Sequence, residues 1–306
     1  MINIYYRSVK EERLNTLDSF KTGSWVNVYD PTEDELEELV KMLGIEKDLL
    51  HDALDPYEVP RLEQESGVIY VFARVPKKRQ QEITTVPILV VLGDDFVLTV
   101  SREKLDFLDE FTKKRVDFFT TQKIKFFLKI FLSVNRQYEL FLININKAIR
   151  GLRIRLERMS NRDLIHFVDF ERVLNDFLSA LTPAGSVLQK MLNGRNVTLY
   201  EDDRDLVEDI FLSNGQMVEM AKSTLRYVVN IRDTYSNIIT QDLNRVMKIL
   251  TSLTILLTIP TMIFSFYGMN VDIPHTAYPQ AYILILVLTV FISTLIFALF
   301  KRNRWL

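Results

Sequence analysis

No cysteine occurs anywhere in the 306 residues, and histidine appears only as His51, His166 and His275, each alone in sequence. The first absence excludes a disulfide scaffold, a thiolate zinc site and a cysteine nucleophile, and is compatible with a reducing compartment. The second leaves little for a His-ligated metal centre. An excess of one charge is lacking too: 38 Lys and Arg against 40 Asp and Glu give a net charge of −2, so nothing favours a nucleic-acid partner. No G-x-x-x-x-G-K-[ST] loop is present to serve an ATP-driven pump, and the chain does not read as an enzyme.

Charge is missing most completely near the end of the chain. From 249 to 271 no residue is charged, and after Asp272 none is charged again until Lys301. Each stretch exceeds the roughly twenty residues that cross a bilayer as a helix. Two transmembrane helices are expected, at about 247–267 and 281–300. The alternative, a buried hairpin in a soluble core, fits poorly with "AYILILVLTVFISTLIFALF", which has no polar face. Arg245 and Lys248 precede the first span and Lys301, Arg302 and Arg304 follow the second, whereas the loop "VDIPHTAYPQ" has neither Lys nor Arg. Both termini are therefore expected on the cytoplasmic side of a plasma (inner) membrane. "MINIYYRSVKEE" becomes charged too early for the apolar core of a signal peptide.

Ahead of the spans, "INIYY", "WVNVYD", "GVIYVFARV", "TVPILVVL" and "FVLTVS" are rich in Val, Ile and aromatics and read as strands, with Gly93-Asp94-Asp95 as a hairpin turn. In "DPTEDELEELVKMLG", Thr32 and Glu35 have capping-box spacing and Gly44 is a stop signal. Apolar residues then recur at three and four over 121–160 and 162–193, which predicts two long helices. Asn196-Val197-Thr198 matches a glycosylation sequon, read as chance on a cytoplasmic face. Between 202 and 266 there is one glycine, Gly215, and one proline, Pro260, so a single helix on the order of 100 Å long is expected. The fold class is thus an α+β membrane protein with an N-terminal α/β cytoplasmic domain, a long helical stalk and two C-terminal transmembrane helices. The boundaries expected are 1–115 for the α/β domain, 116–200 for a helical hairpin, 201–246 for the stalk, 247–267 for the first span, 268–280 for an extracellular loop and 281–306 for the second span with its basic tail.

Along the long helix, Asn237, Thr240, Asn244, Met247, Thr251, Thr254, Thr258, Thr261 and Ser265 recur at alternating spacings of three and four. Five of the six hydroxyls between 249 and 266 lie on this seam; Ser252 is off it by about 100°, and a leucine there is expected to be tolerated. Such hydroxyls can bond back to the i−4 carbonyl or join helices. A sustained heptad-like seam also suits parallel copies around an axis, and a polar seam facing an axis would be wet. Two spans per chain cannot enclose a water path, so a pore would need a homo-oligomer. At the end of the seam, "FSFYGMNVDIP" breaks the helix at Gly268-Met269-Asn270 and offers neutral carbonyl and amide oxygens. These suit a hydrated hard cation such as Mg²⁺, which gives up its water reluctantly, whereas carboxylates would hold it too tightly to conduct.

At 267–270 the sequence "YGMN" resembles the signature of the CorA family of magnesium channels, in the same context of two terminal spans, a charged stalk, "NRVMKILT" at 244–251 and a basic "KRNRWL" tail. The resemblance implies a homopentamer in the lipid bilayer that passes divalent cations inward, Mg²⁺ foremost and often Co²⁺ or Ni²⁺, and closes when cytoplasmic Mg²⁺ bridges subunits. It implies a selectivity ring at Gly268, Met269 and Asn270. It also implies an inner polar ring at Asn244 and a hydrophobic constriction at Met247 and Leu250, while the seam itself makes Thr251, Thr254, Thr258, Thr261 and Ser265 the expected pore lining. The regulatory carboxylates map onto Asp52 and Asp209. In place of the acidic motif that many members carry in the outer loop, this chain has only Asp272. Zinc-, cobalt- or nickel-handling relatives remain an alternative, as does a membrane-anchored signalling or scaffold protein, whose seam should be leucine-rich. Without the resemblance, Asp202, Asp203, Asp205, Glu208 and Asp209 read as a solvated helix start. The basic run 147–162 reads as an exposed helix face or a neighbour of the acidic stalk.

Overall fold

The computed structural model describes residues 1–11, 13–80, 82–113, 115–153, 161–194, 199–270, 280–303 and 305. The sequon at 196–198, Asp272 with most of the outer loop, Arg304 and the 154–160 part of the basic run lie outside the described residues. The chain divides into two compact units, Met1–Ile231 and Arg232–Leu306.

The first unit is built on one seven-stranded sheet. Its strands are β1 (Ile2–Tyr6), β2 (Asn15–Leu17), β3 (Ser24–Tyr29), β4 (Arg61–Glu65), β5 (Val68–Arg79), β6 (Glu82–Leu92) and β7 (Phe96–Ser101). They lie in the order β2-β1-β3-β7-β6-β5-β4, and only β3 and β7 run parallel. Both faces are covered, which is why "PILVVL" and "FVLTVS" are continuously apolar rather than alternating. On one face Val26, Val28, Leu98 and Val100 pack against Leu36, Leu39, Leu49 and Leu50 of α1 (Glu33–Leu43) and α2 (Lys47–Asp52). On the other, Trp25, Val71 and Val90 meet the long helices α4 (Lys123–Arg153), α5 (Asn161–Leu192) and α6 (Glu201–Tyr267) through Phe126, Phe127, Phe177 and Ile210. A 3-10 turn at Asp106–Leu108 leads through the short α3 (Asp109–Thr112) into this layer.

Local chemistry explains several boundaries. Thr32 and Glu35 form the expected reciprocal capping box, and Gly44 ends α1 in the left-handed conformation. Gly93 is required at the β6–β7 hairpin because a Cβ there would run into the Phe96 ring. Trp25 donates from Nε1 to Thr99 Oγ1 at 3.0 Å, so the buried indole is satisfied between the two parallel strands. Asn135 and Asn214 each donate to a backbone carbonyl, of Ile210 and Leu181, at 3.0 Å, and these bonds tie the early part of α6 to α4 and α5.

Five elements go beyond the sequence reading: β2, β4, α2, the 3-10 turn at Asp106–Leu108 and α3. Asp203 also departs from it. It was expected on a solvated helix start, but its side chain is buried at 5% exposure, leaving Oδ1 without a hydrogen-bond partner. The bias toward acids in the first turn of α6 holds for Glu201, Asp202 and Asp203, but one of them faces inward.

Candidate ion pathway

The second unit contains the end of α6 and α7 (Ala281–Arg302), both long and apolar enough to cross a membrane. Their exposure is sharply periodic. On α6 the covered residues are Ser252, Ile255, Leu256, Ile259, Pro260 and Ile263; on α7 they include Ala281, Ile285, Thr289, Ile292, Ser293 and Ile296. Each set follows the three-four spacing of one helix face, and the two are the matching stripes of an antiparallel pair. The small side chains of Ser252 and Thr289 sit deepest in these stripes.

Thr251, Thr254, Thr258, Thr261 and Ser265 all lie on the exposed face of α6. At about 100° per residue their seam stands roughly 140° from the stripe that α7 covers. Toward the helix interior from this seam, Asn244, Met247 and Leu250 are exposed as well. Arg245 and Lys248 are about 150° and 90° away from the seam, so neither cation projects along it. Thr254, Thr258 and Thr261 donate to the carbonyls of Leu250, Thr254 and Leu257 at 2.9, 2.7 and 2.9 Å. Their protons are thereby spent on the helix itself, and each oxygen presents acceptor lone pairs outward.

The expectation that Ser252 could carry a leucine is overturned. Its exposure is 0%, because the position lies on the stripe covered by α7 rather than on a free surface, and its hydroxyl has no hydrogen-bond partner.

The helix closes at the sequence-predicted break. Gly268 N–H donates to Phe264 O at 3.0 Å and Ser265 O at 3.2 Å, and Met269 N–H to Phe266 O at 3.4 Å. A Cβ on Gly268 would meet Phe264 O at 3.2 Å, tight enough to disturb the carbonyls at this terminus. Gly268, Met269 and Asn270 are exposed. The C-terminal end of a helix carries the equivalent of roughly half a negative charge, which favours a cation beyond it.

The two proposed regulatory acids occupy different elements of the first unit. Asp52 ends α2 and is joined through Oδ2 to Arg61 Nη2 at 2.6 Å. Asp209 is exposed on α6. Among the described residues no group of three or more His, Cys, Asp or Glu side chains is placed to hold a metal within one chain. The pairing of Asp52 with Arg61 is not legible in the sequence and comes from the fold, which brings the start of β4 beside the end of α2.

Comparison with known proteins decides the family. The family described as CorA-like Mg²⁺ transporter protein matches residues 20–302. The chain belongs to this family. A cobalt/magnesium transport protein CorA of Methanocaldococcus jannaschii is 25% identical over 289 residues, covering 92% of this chain and 91% of the relative. The protein of the same description from Thermotoga maritima is 20% identical over 301 residues, covering 93% and 84%. The complete structure of the CorA magnesium transporter from M. jannaschii superposes with a TM-score of 0.89 at 23% identity, covering 100% of this chain and 99% of that one. The α/β domain, the long helix and the two apolar C-terminal helices are therefore the CorA fold, and the family is one of transporters rather than enzymes.

Proposed function

We propose that the chain is the subunit of a homopentameric membrane channel that admits Mg²⁺ passively and closes when cytoplasmic Mg²⁺ is sufficient. The observation that carries this reading is the placement of the hydroxyl seam. It occupies the face of α6 that α7 leaves uncovered, so in a bilayer it must meet either lipid or other copies of itself. Five hydroxyls facing lipid gain nothing, whereas the same face turned to a shared axis lines a water path with acceptor oxygens. An outward row of acceptors suits a cation that keeps its hydration shell.

In this reading Gly268, Met269 and Asn270 form the outer selectivity ring, where the C-terminal ends of five helices converge. Asn244 forms an inner polar ring, and Met247 and Leu250 a hydrophobic constriction. Thr251, Thr254, Thr258, Thr261 and Ser265 line the pore between them. Both termini lie in the cytoplasm, the boundaries are those expected from sequence, and Asp52 and Asp209 of adjacent subunits bind the regulatory Mg²⁺.

The experiment is cation flux into liposomes carrying the purified full chain, with Mg²⁺, Co²⁺, Ni²⁺ and Zn²⁺ compared at equal driving force. Saturable Mg²⁺ entry without added nucleotide is expected, and its absence alongside uptake of another ion would reject the assignment. Cobalt is the second cargo to examine, since two relatives are described as cobalt/magnesium transport proteins.

A further inference from the structure

An open cavity of about 610 Å³ lies wholly within the first unit, between the segment after α2, strands β5 and β6 and helix α5. Four arginines line it, Arg74, Arg79, Arg102 and Arg172, against two carboxylates, Glu58 and Asp176. The acids do not cancel the bases. Glu58 is engaged by Arg61, and Asp176, the other lining carboxylate, acts on Arg74. Arg79 pairs with Glu103, but that carboxylate is shared with Lys77 at 2.8 Å. Arg172 meets Glu82 at 2.8 Å on an exposed rim. Arg102 is exposed and has no ion-pair partner among the described residues.

Arg74 gives the cavity a fixed floor. Its guanidinium donates to Glu58 O at 2.7 Å, Pro56 O at 2.9 Å and Thr85 O at 2.8 Å, with Nε on Thr85 Oγ1 at 2.9 Å. None of these acceptors is a carboxylate; Asp176 and Asp55 act on the charge only through space. Beside it Tyr57 stands 84% exposed, flanked by Pro56 on the cavity wall. An exposed aromatic ring beside Arg102, which has no ion-pair partner among the described residues, and Arg79, whose carboxylate partner is shared with Lys77, matches a ligand with a flat base at one end and phosphates at the other. The volume suits a ligand of that size.

We infer that this cavity is a binding site for a nucleoside polyphosphate, with Arg79 and Arg102 on the phosphates and Tyr57 stacked on the base. Arg74 is a positioning residue whose carbonyl contacts hold the Pro56–Glu58 segment in place. The site is separate from the ion pathway and does not depend on which ion the channel carries.

The test is calorimetric titration of the full-length protein in detergent, in EDTA and without Mg²⁺, using ATP and, separately, inorganic tripolyphosphate. Saturable ATP binding in the micromolar to low millimolar range is expected. Arg79→Ala with Arg102→Ala should weaken both probes at least tenfold, while Tyr57→Ala should weaken ATP alone. All three positions are exposed, and unchanged circular dichroism and oligomer mass without ligand will show that the variants remain folded. Two outcomes overturn the inference: no saturable binding of either probe to the wild type, or ATP binding that the arginine pair does not change. If tripolyphosphate binds as tightly as ATP and Tyr57→Ala has no effect, the nucleoside assignment is wrong.

Discussion

Asn270 stands three residues beyond the end of α6, where, among the described residues, the Gly268 and Met269 N–H groups cap the last helical carbonyls. An amide oxygen there is a neutral acceptor in a region already made negative by the helix terminus. Asn270→Ala should therefore abolish Mg²⁺ flux while leaving the oligomer intact, since one substitution removes an acceptor from every subunit. Flux in liposomes and mass by light scattering check the two halves, and half or more of the wild-type flux would dismiss the ring. A different residue prediction concerns stability. Burial pushes the Glu103 carboxyl up, but hydrogen bonds from Lys77 and Arg79 prevail and hold it below the usual carboxylate range. A lowered folded pKa contributes stability above the unfolded value and loses it as pH falls through the folded one. Glu103→Gln should thus cost up to about 1 kcal/mol at neutral pH, given how exposed the pair is. The difference in melting temperature from wild type should close below about pH 4. A gap that persists in acid would assign the effect to packing instead of charge.

At the scale of the element, α6 has two working faces. One is the stripe of Ser252, Ile255, Leu256, Ile259 and Ile263 beneath α7, and the other is the exposed hydroxyl seam. Thr254→Leu and Thr258→Leu should block Mg²⁺ flux without changing the melting temperature, because each adds bulk to an exposed face. Leu253→Ala, exposed about 130° from the seam, should conduct normally. Ser252→Leu should instead lower thermal stability by ~1–3 kcal/mol through overpacking. If the threonine variants lost stability as well as flux, the seam would be a packing surface. The seam was legible in sequence because hydroxyls are conspicuous in an apolar run, but the covering of Ser252 was not. Its neighbours in sequence are as apolar on the lipid side as on the α7 side, so composition carries no sign of which is which. The same contrast holds in the soluble unit. Five strands, the capping box and the Gly93 turn declare themselves through β-branched runs and specific turn chemistry. Strand β4, "RLEQE", is a charged edge strand, β2 has three residues and α2 six, all too short or too polar for periodicity to find. The arginine cavity gathers residues from 56 to 179 and becomes visible only when the sheet brings β5 and β6 beside α5.

For the whole assembly, the proposed passive pore would overload the cell unless it closed. The membrane potential supplies about 2.3 kcal/mol per charge per 100 mV, roughly 4.6 kcal/mol for a divalent ion, so inward flow needs no nucleotide but does need a brake. If Asp52 and Asp209 of neighbouring subunits share an ion, Mg²⁺ relieves their repulsion and favours the closed ring, and by linkage stabilises it. Asp52→Asn with Asp209→Asn should then conduct at internal Mg²⁺ that shuts the wild type, and lose much of the Mg²⁺-dependent rise in melting temperature. The Arg61 contact sharpens this. Arg61 also pairs with Glu58 and Glu63 and lies over the Phe72 ring at 4.0 Å, so it is held at Asp52 by more than that one carboxylate. Mg²⁺ arriving at Asp52 must compete with a guanidinium already within 2.6 Å. In the proposed sensor this competition would set closure at a higher internal concentration than a free carboxylate would. Arg61→Gln should therefore shift the Mg²⁺ concentration for half-closure downward, by a few-fold to tenfold, corresponding to about 1 kcal/mol of lost competition. The same substitution in the Asp52→Asn background should shift nothing, because the carboxylate over which the two cations compete is gone. Equal shifts in both backgrounds, read from flux against internal Mg²⁺, would place the effect of Arg61 on Glu58 or Glu63 and remove Asp52 from the sensor.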